Sequence, residues 1–418
     1  MPAGRSSGPV RYRTTFRNVI HDLFRSKGWA ETDSDTDWDV AWVDKDWMRE
    51  NFLAVSPTFA EHQRINHFPN HYELTKKDNL IKNLKRAQRA LTREGLHDEA
   101  ARYDFFPGTY VLPADYGLFV EEFKNHPPGT IWIMKPTGSA QGKGIFLFNK
   151  LAQINEWKKD ASWKLDSNSA QAAAYVVQRY IENPQLIGGK KFDLRLYVLV
   201  TSYAPLTVYI YRSGFARFSS YRYNTNAKNL GDTYVHLTNV AVQKTGPGFD
   251  AGAGSKWPLR NYRIFLVSKY GHQATDRMFS DVEDLCISTL LSVQKIMISD
   301  KHCFEMYGYD ILVDDTLKPW LIEVNASPSI SADTIQDYDL KFGLLEDVYS
   351  VLDVEGKQRD REDGKLPQTV GGFDLIYQGG STRSDKLATH ASKLGCFDEQ
   401  ERRRSLQSLR ARRPTSTS

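Results

Sequence analysis

The chain has 418 residues, 40% hydrophobic, 12% aromatic and 25% charged, with 55 Lys+Arg against 51 Asp+Glu and a formal charge of +4; this is a globular composition, which excludes a disordered or fibrous protein. No run approaches the ~18 uncharged apolar residues of a membrane span, the N-terminal MPAGRSSGPVRYR lacks the apolar core of a secretory signal, and Cys286, Cys303 and Cys396 without a CxxC exclude a Cys-rich zinc site. A cytosolic protein with no membrane partner is expected, and at roughly 100–200 residues per domain the length suggests two or three coupled subdomains.

Residues 1–13 are small, polar and Gly/Pro-containing and are expected to be disordered. Short strands and Trp/Tyr-rich loops follow, then a charged helix over Lys77–Glu94 that stops near Gly95. An apolar strand over Thr130–Pro136 is ended by its proline and resumes at Gly144–Phe148 across a small-residue loop. Lys158–Ala174 reads as a polar loop, and Tyr175–Glu182 and Asp193–Ser202 as strands. Leu206–Tyr211 and Phe215–Ser219 flank Arg212-Ser213-Gly214, which predicts a hairpin turn. Phe279, Val282, Leu285, Leu290, Val293 and Ile296 predict an amphipathic helix over Asp276–Ser299. Strands at Met306–Val313 and Trp320–Asn325 flank the turn-forming Asp314-Asp315, and a helix follows near Leu340–Leu352. The end of the chain carries Arg402, Arg403, Arg404, Arg410, Arg412 and Arg413, and a solvated, disordered basic tail is expected over 379–418. No stacking-sheet or zinc-finger signature accompanies that charge, so no nucleic-acid partner is expected.

Three constellations carry chemistry. If the strands at Met306–Val313 and Trp320–Asn325 pair, Asp310 lies opposite Glu323, and Glu323 and Asn325 share a face by the period of two. Three oxygen donors then converge as metal ligands of the hard kind Mg accepts, with open positions for nucleotide phosphates. A lone Asp or Glu is ordinarily an exposed charge; carboxylates on two adjacent apolar strands are costly unless paired. The second constellation, Lys135-Pro-Thr-Gly-Ser-Ala-Gln141-Gly142-Lys143-Gly144, joins two strands, with small residues that let backbone N–H groups approach phosphate and with Lys143 as a compact cation. It lacks the GxxxxGK[ST] of a P-loop. The third, Gly188-Gly189-Lys190-Lys191-Phe192-Asp193-Leu194-Arg195, puts Asp193 and Arg195 on one strand face, where a guanidinium can grip phosphate. Upstream, Gln178-Arg179-Tyr180-Ile181 can offer main-chain groups to a purine.

The order WIMKP, SAQGKGI, QRYI, GGKKFDLR, GFARF, HLTN, YGYDILVD, WLIEVNASPS closely resembles the tubulin tyrosine ligase-like family from about residue 15 to 378, and within it the short ciliary and flagellar glutamylases. That resemblance implies an ATP-grasp-type α+β / α/β fold with the nucleotide held between two mainly antiparallel sheets. It also implies a catalytic region over 14–378, made of an N-terminal subdomain (14–124), a central subdomain (125–200) and a C-terminal subdomain (201–378). The implied cofactors are ATP and Mg, with two ions accommodated and Mn as a substitute.

The resemblance places Lys135, Gln141, Gly142, Lys143, Gly144, Lys190, Asp193, Thr238 and Asn239 around the nucleotide, with Gln178, Arg179, Tyr180 and Ile181 at the adenine. Asp310, Glu323 and Asn325 hold the metal, and Arg195, Lys143 and Glu323 serve catalysis. Gln141, Arg217, Lys256 and Lys341 bind substrate, the last three meeting the carboxylates of free glutamate. The implied reaction phosphorylates an acceptor glutamate on a tubulin C-terminal tail, and the amine of a free glutamate then attacks the acyl phosphate. Gln141 stands where the long glutamylases commonly have arginine, which favours elongation over initiation, or help from an auxiliary subunit. Cytoplasm, cytoskeleton and the axoneme and basal body of a cilium or flagellum are the implied locations. The competing readings are glycine or tyrosine ligation and a silent microtubule scaffold.

Overall fold

The structure is a computed structural model that describes residues 8–53, 59–138, 142–154, 174–226, 229–246, 256–326, 328–332, 334–356, 366–379, 392–398 and 402. Three sheets organise these residues. Strands β1 (Arg11–Thr14), β2 (Ala30–Glu31), β3 (Val40–Trp42) and β4 (Arg64–Ile65) form a parallel sheet in the order β2-β1-β3-β4. Residues 8–13 are therefore part of the fold: Val10, just before β1, and Tyr12 within it are buried beside helix α1 (Val19–Ser26), because alternate residues along this segment turn into that core.

Strands β5 (Thr109–Leu112), β6 (Trp132–Pro136), β7 (Phe146–Phe148) and β8 (Tyr175–Arg179) form an antiparallel sheet in the order β5-β8-β6-β7. Helix α2 (Lys77–Arg93) precedes it, within one residue of the sequence expectation, and α3 (Tyr116–Asn125) covers it through Phe119 against Trp132 and Phe148. The expected loop at Lys158–Ala174 lies outside the described residues apart from Ala174.

The third sheet has nine strands: β9 (Leu186–Ile187), β10 (Lys190–Tyr203), β11 (Leu206–Tyr211), β12 (Phe215–Arg222), β13 (Lys256–Pro258), β14 (Glu305–Val313), β15 (Pro319–Ala326), β16 (Thr369–Val370) and β17 (Phe373–Gln378). The division between the two large sheets falls between β8 and β9, not at residue 200, and β5 belongs with the central segment. The predicted hairpin at Arg212–Gly214 is absent. Leu206↔Tyr203 through Ile210↔Val198 and then Phe215↔Arg195 through Arg222↔Lys190 show β11 and β12 running in succession along one edge of β10, with β14 on its other edge. The hairpin is instead the tight connection at Ala204-Pro205. At the break, a Cβ on Gly214 would stand 2.4 Å from the Arg195 carbonyl, so the residue that looked like a turn glycine is a close-approach glycine.

The even-numbered side chains of β10, Phe192 to Val200, join one core with α4 (Leu259–Gln294), whose Met278, Phe279, Val282, Leu285, Cys286, Leu290 and Val293 recur at helical spacing. α4 starts well before the expected Asp276 and kinks at Gly271, where φ is 81°. On the opposite face Tyr197 and Leu199 pack with α5 (Ile335–Leu352) and α1. The first sheet is pinned to β14: His67 Nδ1 meets Glu305 Oε1 at 2.8 Å, both fully buried, and the Phe68 N–H donates to Glu305 Oε2 at 3.1 Å. Within the expected basic tail, Ser392–Asp398 and Arg402 pack on the fold. Leu394 is buried, the Gly395 N–H donates to the Arg212 carbonyl, and Arg402 pairs with Glu346 at 3.0 Å. Among the described residues no helix is long and apolar enough to cross a membrane.

Candidate active site

The two antiparallel sheets face each other across a cleft that takes in about 840 Å³ of space, open solvent included. One wall is the β6–β8 side, with Ile133, Lys135, Gln178 and Tyr180; the other is Lys191 and Asp193 of β10, Asp310 and Leu312 of β14, and Ile322 and Glu323 of β15. Thr238 and Asn239 close one end, with Arg179, Ile181 and Gly142 also on the lining.

The first part of β10 presents Lys191 and Asp193 to this wall. Phe192 and Leu194 point into the core, so Lys191, Asp193 and Arg195 share the opposite face. Lys191, not Lys190, is therefore the lysine in the cleft. Its Nζ donates to Tyr180 Oη and to the His236 carbonyl, both at 2.9 Å, and lies 4.4 Å from the Tyr180 ring centroid. Burial, reinforced by Lys135, lowers the Lys191 pKa to about 7 despite Asp193. Lys135, buried on the cleft wall, donates to Gln178 Oε1 at 2.8 Å; burial brings it to about 8, with Glu323 opposing the shift and Lys77 adding to it.

The carboxylate end forms as the strand pattern predicts. Asp310 pairs with Glu323 in register and Gly308 with Asn325. The next pair is Ile311↔Leu321, so Ile322 is an extra residue on β15, and this bulge turns both Ile322 and Glu323 to the cleft. Asp310 accepts from Arg195 at 2.5 and 3.0 Å, and Arg217 reaches its Oδ2 at 2.8 Å. Burial alone would raise its carboxyl; the two guanidiniums hold it well below the usual carboxylate range. Arg217 also grips Asp193, with Nε to Oδ1 at 2.8 Å.

Asn325 Nδ2 lies 3.4 Å from Asp310 Oδ2 and 3.3 Å from Glu323 Oε1. Exchanging the amide's O and N positions would turn an acceptor to the same point. Glu323 Oε2 is 3.5 Å from Lys77 Nζ, which comes from the first residue of α2 and also lines the cleft. Two carboxylates and an amide at the cleft edge are an all-oxygen donor set that fits a hard divalent cation, since Asp310 Oδ1 faces Arg195 alone and keeps a second lone pair, while Oδ2 is shared by both arginines.

The three cations expected at a donor amino acid are brought together in part. Arg217 and Lys256 are register partners on β12 and β13. Lys256 and Lys341 converge on one oxygen, Asp337 Oδ2, at 3.1 and 2.9 Å. Arg217 is turned toward Asp193 and Asp310 instead. Lys143 is exposed and is not on the cleft lining, whereas Gly142 and Gly144 take φ of 79° and 74° and pack against Val242 and Pro136. Gln141 lies outside the described residues. The strand period already pointed to Lys191 once Asp193 was chosen. Asp337, four residues before Lys341, falls outside the helix expected at 340–352, and nothing local distinguished Lys77.

The description of the Tubulin-tyrosine ligase family matches residues 56–361. "Probable tubulin polyglutamylase TTLL9" of Bos taurus is 48% identical over 93% of this chain and 88% of its own length. "Probable tubulin polyglutamylase ttll-9" of Caenorhabditis elegans is 47% identical over 88% and 85%, and "Probable alpha-tubulin polyglutamylase Ttll1" of Tetrahymena thermophila is 43% identical over 89% and 94%. With the family pattern spanning most of the chain and these identities running along nearly the full length of each relative, the chain belongs to the tubulin-tyrosine ligase family.

Proposed function

We propose that this protein is an ATP-dependent ligase that joins free glutamate to glutamate side chains of tubulin C-terminal tails, chiefly lengthening existing side chains. The observation that carries the reading is the sequence identity along nearly the full length of relatives named as tubulin polyglutamylases, combined with a cleft lined by both lysines and carboxylates.

In this reading the nucleotide lies between the two sheets. The Arg179 and Tyr180 N–H groups are committed to the Gly108 and Ile131 carbonyls, which leaves Ile181 as the main-chain donor for a purine edge. Lys135 and Lys191, desolvated and within the cleft, face the phosphates. Asp310, Glu323 and Asn325 hold Mg or Mn, which when bound supplies charge neutralisation on the transferring phosphoryl group. An oxygen of the acceptor side-chain carboxylate attacks the γ-phosphorus, the bond to ADP breaks, and an acyl phosphate forms. The amine of free glutamate then attacks the acyl carbon, phosphate leaves with the bonding pair, and the amine nitrogen loses a proton as the amide forms. Arg195, held on Asp310, stabilises developing phosphoryl charge in this reading, so catalysis is positioning and electrostatics. Lys256 and Lys341, with Arg217 beside them, form the donor pocket, and Asp337 holds the two lysines in register for a donor carboxylate.

The cytoskeleton of a cilium or flagellum is the proposed location, with auxiliary subunits as partners. Purified protein given tubulin, ATP, Mg and one labelled amino acid at a time tests the donor. Glutamate is expected to be incorporated, and glycine and tyrosine are not. Incorporation of glycine or tyrosine in its place would overturn the donor assignment.

A further inference from the structure

Helix α2 sets Lys77, Lys82, Lys85, Arg86, Arg89 and Arg93 against a single acid, Asp78, in a chain whose totals are nearly balanced at 55 against 51. Lys82, Arg86, Arg89 and Arg93 are exposed and fall at i, i+4, i+7 and i+11, on one helical face. The opposite side is fixed: Leu80, Ile81 and Leu84 are buried, and Ala87 and Leu91 pack on the same core. The charged face is thus presented by a helix that cannot roll.

Like charges at three- and four-residue spacing destabilise a helix, so this arrangement works against folding. Asp78 relieves Lys82 only loosely, at 3.7 Å. Among the described residues no carboxylate is paired with Arg86, Arg89 or Arg93. The first residue of the same helix, Lys77, turns inward to the cleft and reaches Glu323. From Lys82 to Arg93 the charged face runs roughly 16 Å at ~1.5 Å per residue, the span of about five residues of extended chain at ~3.3 Å each. Beyond Arg93 the sequence turns acidic, with Glu94 and then Asp98 and Glu99 of the short helix His97–Ala101.

We propose that this face of α2 is a docking stripe for an extended, glutamate-rich segment of the acceptor polypeptide; the proposal rests on the ligase reading. A ligase that adds glutamate to glutamate makes each product more anionic than its substrate, so a row of cations on the helix whose first residue lines the cleft holds the lengthening chain for another round. Three of the four cations are arginines, whose forked donors match carboxylates in bidentate fashion. No aromatic side chain interleaves them, as a single-stranded nucleic acid would require for stacking.

The full chain carrying K82Q, R86Q, R89Q and R93Q together is compared with wild type, thermal unfolding serving as the check on folding. A fluorescent peptide of about ten glutamates, read by anisotropy, is expected to bind the variant about tenfold more weakly, with a flatter salt dependence. In glutamate incorporation the variant's KM for tubulin is expected to rise about tenfold, with KM for ATP and for free glutamate unchanged. Equal peptide affinity in the two proteins overturns the stripe. So does wild-type binding of a single-stranded RNA of matched charge more tightly than the peptide. If wild type incorporates no glutamate under any condition, the ligase reading fails, and peptide binding alone decides the stripe.

Discussion

Asp310 is buried and ionised at once because Arg195 and Arg217 close on its oxygens from two strands. Asp310→Asn would leave two guanidiniums facing a neutral amide. The loss of one partner from a buried charge network predicts destabilisation of about 3 kcal/mol in urea unfolding, together with loss of ligation. An unchanged midpoint would mean that the arginines find other partners. Lys191 gives a pH-dependent signature. Its pKa, lowered to about 7 by burial, should rise when phosphate oxygens enter the cleft, so ATP binding near pH 8 should take up about one proton and binding near pH 6 almost none. Calorimetry in two buffers of different ionisation enthalpy measures this, and Lys191→Met should remove most of the uptake, leaving the share of Lys135, whose value of about 8 also rises beside phosphate. At the donor end, Asp337→Asn frees Lys256 and Lys341 from their shared counter-charge. It should shift KM for glutamate several-fold while leaving KM for ATP in place, whereas a purely structural role would move both.

At the scale of elements, the strand period was the most informative part of the sequence. It placed Asp310 opposite Glu323 and set Asn325 beside them, as the register shows. The same rule, applied one residue earlier on β10, separates Lys191 in the cleft from Lys190 beside Arg222. What local pattern could not reveal was which edge a strand pairs with. Arg212-Ser213-Gly214 has turn composition, yet β11 and β12 both line β10, because Gly214 lets the chain pass against the Arg195 backbone. A Cβ 2.4 Å from that carbonyl must push one of the two strands away. Gly214→Ala is therefore expected to cost roughly 2 kcal/mol and, by shifting Arg195, to lower kcat. Stability and kcat both at wild-type levels would contradict the close-approach reading.

At the scale of the whole molecule, motif order made the family legible while long-range packing was not. The lock between His67 and Glu305 joins residues 238 apart in sequence, and the packing of Ser392–Asp398 against α4 depends on contacts such as Arg263 to the Leu394 carbonyl. Glu283 accepts from Ser392 inside that contact, and burial raises its carboxyl to about 7. Because this folded value lies above the ordinary carboxyl value, the favourable contribution is complete at low pH and is lost as pH rises through about 7. Glu283→Gln should accordingly raise the unfolding temperature at pH 8 and change it little at pH 5, with roughly 1–3 kcal/mol gained at the higher pH. The central claim, that the cleft is the centre of a glutamate ligase, is tested most directly by mass spectrometry of tubulin tails after incubation with ATP, Mg and glutamate. Wild type should add glutamyl residues in series to a tail glutamate side chain, and Glu323→Gln should add none while remaining folded. Equal addition by the two proteins, or tails left unmodified by wild type with auxiliary subunits supplied, would contradict the account.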